Sequence, residues 1–282
     1  MFRVWFIFSL LSLWLYPKSS VWKVQNDKGA TIYLGGTIHL LRKSDYPLPQ
    51  PYEDAYRQSD ALVFETDIKD EAIATYMAQD GLYKDIELKD KLKPATYQAL
   101  EQYTQKVGFP IVLISKMKAP LAMLSLSLHK YQSMDFYATN GVDLYFYNRA
   151  LKDRKKIDTF ETPREQFDML LSIGKGSEDR LIEYTLHDLE NMESYFTPLM
   201  QAWRVGDRAK MQDSLLSTFE KYPQIYQTLL VERNQKWLGK ITTYFETQEV
   251  EFVLVGTAHL LGKDGLLQYF ENNGYKVKQV KQ

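Results

Sequence analysis

The apolar positions of this chain form short strand-like runs near both ends and longer helical patterns between them. Val21 to Val24 and Thr31 to Leu34 flank Gln25-Asn26-Asp27-Lys28-Gly29. That connector has turn chemistry, so the two runs predict a hairpin with Gly29 free to take positive φ. The second strand leads straight into Gly35-Gly36-Thr37-Ile38-His39. A short helix is expected from about Tyr52, with Pro51 in its first turn. Ala61-Leu62-Val63-Phe64 is a buried-strand pattern that ends in Glu65-Thr66-Asp67.

The middle reads as helical. Pro94 and Pro120 mark helix starts, and Gly141-Val142-Asp143 opens a helix through Leu151. Lys156 to Phe160 is a short strand ending at Glu161. Thr162-Pro163-Arg164-Glu165 combines a Thr cap, a Pro at the first helical position and a Glu three residues after the cap. Ser177 to Trp203 is a long helical pattern stopped by Gly206, and Asp207 caps the next helix. Pro223 to Glu246 continues in helix. Glu251 to Val255 is a buried strand, Asp264 to Asn273 a helix stopped by Gly274, and Tyr275 to Val280 a closing strand.

The two ends match each other. Residues 32–44 read IYLGGTIHLLRKS and residues 252–264 read FVLVGTAHLLGKD, an offset of 220. Leu34, Gly36, Thr37, His39, Leu40, Leu41 and Lys43 recur at that offset. Each copy is followed by a helix and a strand. The expected fold is therefore α/β: a central sheet from two related strand-loop-helix-strand units, side by side, with a large inserted helical region. No stretch reads as a linker, so residues 21–282 are expected to form one domain.

The N-terminus differs. Val4 to Tyr16 is an uncharged run behind Arg3, the right length for a signal-peptide core and short for a bilayer span. Its exit, Pro17-Lys18-Ser19-Ser20, lacks a small-x-small cleavage site. Residues 1–20 are read as a signal peptide or N-terminal anchor, with a buried first helix as the alternative. The chain is expected to be exported, periplasmic or membrane-associated, with possible membrane association through this segment.

Composition narrows the chemistry. A net charge of -1 provides no field for nucleic acid, which is not expected as a partner. The absence of cysteine excludes disulfides, thiolate metal sites and a cysteine nucleophile. The 20 Tyr, 14 Phe and 5 Trp either fill a core or line a peptide groove.

In open α/β sheets ligands bind beyond the carboxyl ends of the strands. His39 and His259 both sit there, three residues past a Gly. Paired imidazoles so placed ligate metals or handle protons. The same logic selects Glu65 and Glu161, each at a strand end. Two histidines and a carboxylate suit Zn²⁺, Mn²⁺ or Fe²⁺. A further carboxylate, Glu161 or Asp143, could act as acid, base or ligand. Arg233, at a helix start, could hold a substrate carboxylate or an oxyanion. Plainer roles compete: Glu161 and Asp143 could serve only the helix starts beside them, and Arg233 could pair structurally. The chain has no Gly-x-Ser-x-Gly elbow, phosphate-binding glycine loop, His-Glu-x-x-His or dinucleotide fingerprint. Metal-assisted hydrolysis is the chemistry left standing.

These residues resemble the TraB/PrgY/GumN family, which includes the TIKI proteins. The ordered matches are Val21-Trp22-Lys23-Val24, Leu34 to His39, Phe64-Glu65, Gly141-Val142-Asp143, Glu161-Thr162 with Gln166, Ala202-Trp203 with Gly206-Asp207, Glu232-Arg233-Asn234 with Trp237, and Val255 to Leu260. The resemblance implies a metal-dependent, peptidase-like hydrolase acting on a peptide or protein. TIKI members are membrane-associated proteases that clip Wnt proteins and depend on Mn²⁺ or Co²⁺. By this resemblance His39, His259 and Glu65 bind a divalent metal (Mn, Co or Zn), and Arg233 matches the family arginine. TraB and PrgY members are linked to shutting off peptide pheromones. The alternative implied is a non-catalytic protein of the same fold that sequesters a peptide or haem.

Overall fold

In a computed structural model the described residues are 18–281. In chain order they form β1 (Lys18–Gln25), β2 (Thr31–Thr37), α1 (Gln50–Gln58), β3 (Ala61–Phe64), α2 (Ala72–Tyr76), α3 (Pro94–Lys106) and α4 (Ala119–Ser133). Then come α5 (Val142–Asp153), β4 (Lys156–Thr159), α6 (Pro163–Ser172), α7 (Glu178–Val205), α8 (Arg208–Leu216), α9 (Pro223–Tyr226) and α10 (Glu232–Thr243). The chain ends with β5 (Glu251–Gly256), α11 (Thr257–Leu260), α12 (Leu266–Asn272) and β6 (Lys276–Lys281). Of the segment read as a leader or anchor, residues 1–17 lie outside the described residues, and 18–20 begin β1.

One six-stranded sheet organises the molecule, in the order β4-β3-β5-β2-β1-β6. β2, β3, β4 and β5 run parallel, and β1 is antiparallel to both of its neighbours. The two repeated units are adjacent, with β2 against β5 in a register that pairs Thr37 with Gly256. They also interleave: β5 lies between β2 and β3 of the first unit. Both glycine-threonine motifs therefore leave the sheet at the same edge. Parallel strands with helices on both faces read as continuous apolar runs. Phe252 to Val255 is such a run, and all four residues are buried.

Local punctuation matches the sequence reading. Gly29 takes φ 91° in the hairpin, and Gly206 and Gly274 take positive φ after α7 and α12. Thr162 and Glu165 form the reciprocal cap of α6, and Asp207 caps α8. Two differences matter. The helix expected from Pro223 is interrupted by a π turn, Gln227–Val231, immediately before α10. The helix expected from Asp264 starts only at Leu266.

Tyr52 of α1 packs on Phe146 of α5, Trp203 of α7 and Phe252 of β5, and Phe146 also packs on Phe252. Two of these aromatics also hold the first motif: Tyr52 Oη donates to Gly36 O at 2.5 Å and Trp203 Nε1 donates to the same oxygen at 2.8 Å. Aromatic burial thus sets the position of the strand end that carries His39. Among the described residues no helix is long and apolar enough to cross a membrane.

Candidate active site

The two copies of Gly-Thr-x-His-Leu-Leu adopt different conformations. The second forms α11, which buries His259 at 3% exposure. The first stays extended and is tied down by a bridge between Leu41 and Tyr137. Val142 N donates to Ile38 O at 3.1 Å, so the start of α5 sits against the first motif. Only glycine fits at position 141, because a Cβ there would lie 2.2 Å from His39 O. This approach delivers Asp143, whose Oδ2 is 2.8 Å from His39 Nδ1. His39 stands at the mouth of the site, its side chain 59% exposed. The Asp143 carboxylate holds its imidazole above the ordinary pKa, with water screening part of the pair.

Pairing between β3 and β4 continues past the strands, since Glu161 N donates to Glu65 O at 2.9 Å. That brings Glu65 and Glu161 side by side. Arg233 lies between them and is buried. Its Nε donates to Glu161 Oε1 at 2.8 Å, and its Nη2 to Glu161 Oε2 at 2.9 Å and Glu65 Oε2 at 2.6 Å. Its Nη1 reaches Leu229 O at 3.3 Å and His259 Nε2 at 3.0 Å. All five guanidinium hydrogens thus have acceptors. Trp237, one turn further along α10, stacks under the guanidinium at 4.6 Å and donates from Nε1 to Glu161 Oε1 at 3.0 Å.

Asn234 decides how His259 is protonated. Its two amide hydrogens go to His259 O at 3.0 Å and Asp264 O at 2.9 Å. Its Oδ1 therefore accepts, and the hydrogen on that 2.8 Å contact belongs to His259 Nδ1. This network assigns the tautomer. His259 Nε2 carries the lone pair and faces Arg233. Burial pushes the His259 pKa down to about 3, so the ring is neutral. Burial also opposes ionisation of Glu65. Even so, the Arg233 guanidinium, the His39 imidazole and the Gly256 amide hold its carboxyl well below the usual range.

A small cradle lies where these groups meet. A Cβ placed on Gly256 would stand 3.3 Å from Glu65 Oε1, 3.4 Å from His39 Nε2 and 3.7 Å from His259 Cδ2. As carboxylates, Glu65 and Glu161 outnumber the single buried guanidinium, so the cradle favours a cation. Thr37 Oγ1, which also lines the space, is buried with no hydrogen-bond partner among the described residues. The cradle opens into a cavity of about 430 Å³. Tyr131 of α4 and Tyr195, Phe196 and Leu199 of α7 form its apolar wall, with Leu215 and Phe219 beyond them.

The donors are of the kinds that a divalent ion takes. Each imidazole has Nδ1 engaged, as orienting partners of ligating histidines require; His39 turns Nε2 to the cradle, whereas His259 meets it with Cδ2 and turns Nε2 to Arg233. Among the described residues, however, no three His, Asp or Glu groups stand in ligating arrangement, and His259 Nε2 is 3.8 Å from Glu65 Oε1. The cation now on His259 Nε2 is Arg233. An ion at that atom requires Nη1 to withdraw.

A model of the TraB/PrgY/gumN family matches residues 20–279. The chain belongs to this family. No curated protein and no solved structure matches it.

All six residues singled out in the sequence, His39, Glu65, Asp143, Glu161, Arg233 and His259, meet in this one place. Asn234, Trp237 and Gly256 stand in the matched motifs but are not among the residues expected to do the chemistry. The spacing of Arg233 and Trp237, one helical turn apart, was the available signal for the stacking pair. Nothing local signalled the orienting role of Asn234, because its partners lie 25 and 30 residues away.

Proposed function

We propose that this protein is a metal-dependent, peptidase-like hydrolase of peptide or protein substrates. The observation that carries the reading is the Gly256 cradle, where His39 Nε2, Glu65 Oε1 and the buried His259 converge beside an apolar cavity. His39, Glu65 and His259 would hold a divalent ion, Mn²⁺, Co²⁺ or Zn²⁺. When bound, such an ion polarises a carbonyl and makes water nucleophilic near neutral pH.

The chain's own residues supply the rest. Asp143 and Asn234 aim the two imidazoles. Glu161 accepts three hydrogen bonds from Arg233 and Trp237, so its role here is to position Arg233 rather than to exchange protons with substrate. Arg233, released from His259, would present Nη1 to the oxygen that gains charge during attack. The aromatic and leucine wall accommodates apolar side chains of a peptide. An exported or membrane-associated setting fits the uncharged N-terminal run.

Elemental analysis after loading with Mn²⁺, Co²⁺ or Zn²⁺ tests the metal assignment. One retained ion per chain is expected in the wild type and none in His39→Ala or His259→Ala. No retained ion in the wild type would overturn it. Capture of an intact peptide, without cleavage by the loaded protein, would replace hydrolysis with sequestration.

A further inference from the structure

The turn between α3 and α4 presents an apolar tip, Phe109-Pro110-Ile111-Val112-Leu113. Val112 is 71% exposed and Leu113 58%, Pro110 is also exposed, and Phe109 and Ile111 are half-buried. A contiguous apolar protrusion differs from scattered surface leucines and marks an interaction site. The backbone of the tip is largely self-satisfied. Phe109 N donates to Thr104 O, Leu113 N to Pro110 O and Ile114 N to Ile111 O, and Pro110 has no N–H. Such a turn can enter an apolar phase with few backbone groups left unpaired.

The chain on either side of the tip is rich in lysine, and α7 sets Glu183, Glu190 and Glu193 against α3 and α4. Residues 84–118 contain seven lysines against four acidic residues, in a chain whose net charge is -1. The segment before α3 is fastened to the base of the tip, Leu88 N donating to Ser115 O at 2.8 Å. This places Lys89 beside Lys116 under the tip, while Lys106 closes α3 just before it. Their partners, Glu87 and Glu190, are surface carboxylates with 34% and 51% of the side chain exposed. Exposed pairs of this kind are weak and give way to competing anions.

We propose that this tip inserts into the interfacial layer of an anionic lipid membrane, with Lys89, Lys106 and Lys116 meeting the headgroups. Exposed apolar side chains flanked by lysines are the pattern of interfacial membrane anchors. Phe109 of the tip packs on His129 of α4, two residues before Tyr131 on the cavity wall. Insertion would bring the active-site cavity close to the headgroups.

The cysteine-free chain allows a direct test on the full-length protein. Val112→Cys carries an environment-sensitive fluorophore as the only thiol adduct, and Asn272→Cys serves as the control. Vesicles of phosphatidylglycerol mixed with phosphatidylcholine should shift the emission of the label at 112 to shorter wavelength and leave the label at 272 unchanged. Pure phosphatidylcholine should give little response. Lys106→Gln and Lys116→Gln should each weaken the response about fivefold, the equivalent of one headgroup-facing charge. Anchoring by residues 1–20 alone would bind vesicles and leave the label at 112 silent, which overturns the proposal. So would an equal response to neutral vesicles. A shift that grows with protein concentration without lipid would assign the tip to a second copy of the chain and also overturn it.

Discussion

Replacing Glu161 by Ala separates a buried positioning role from a surface one. The Glu161 side chain is 5% exposed and that of Arg233 10%. Removing one partner of a buried, hydrogen-bonded pair costs about 3–5 kcal/mol. Glu65 remains on Arg233 Nη2, which moves the expectation toward the lower end, but Arg233 Nε and Trp237 Nε1 both lose their acceptor. An orphaned buried donor costs about 1–3 kcal/mol, so about 3 kcal/mol is the expected loss. Asp143→Ala is the contrast. Its partner ring is 59% exposed, and such pairs contribute about 1 kcal/mol or less. Urea unfolding at neutral pH, with chelator present, should lower the Glu161→Ala midpoint by about 1 M at an m-value near 3 kcal/mol/M. Asp143→Ala should shift it far less. A Glu161→Ala variant as stable as Asp143→Ala would refute the buried-clamp reasoning.

Three further outcomes follow from the same geometry. Nitrogen NMR should find His259 protonated at Nδ1 in the wild type, whereas Asn234→Leu should mix the tautomers and weaken Zn²⁺ binding about 10–100-fold, as loss of an orienting partner does. Gly256→Ala should keep its melting temperature near that of wild type yet lose metal retention, because its Cβ fills the cradle; retained metal would show that the cradle is not the binding place. Glu251, buried at the start of β5 with Oε2 unpartnered, has its pKa pushed up to about 7, chiefly by burial. The folded state then holds the proton more tightly than the unfolded state, so stability is full below the ordinary glutamate range and falls as pH rises through about 7. Glu251→Gln should remove about 1–3 kcal/mol of that decline, measured by unfolding at pH 5 and pH 8.

Much of the fold was legible because its boundaries depend on local chemistry. Prolines at helix starts, Thr162 and Asp207 as caps and Gly29, Gly206 and Gly274 at positive φ act within a few residues of themselves. The repeat at an offset of 220 predicted adjacent strands, and β2 and β5 are neighbours. The interleaving of β5 between β2 and β3 was not legible, since register across the sheet depends on contacts far apart in sequence. Nor was the unlike fate of the twin histidines. Their flanking residues are nearly the same, yet Tyr137 and Gly141 hold one copy extended while Asn234 and Trp237 bury the other. Glu161 was read as an acid, base or ligand, or as a helix-start residue; its tie to Arg233, 72 residues away, is visible only in the fold.

The central claim is hydrolysis of a peptide at the Gly256 cradle. The measurement that tests it most directly is mass spectrometry of a mixed peptide library incubated with the Mn²⁺-loaded protein, run beside folded His259→Ala. New cleavage products are expected that require the wild-type histidine and disappear with chelator. An intact library after incubation with metal-loaded wild type, or equal cleavage by His259→Ala, would contradict it.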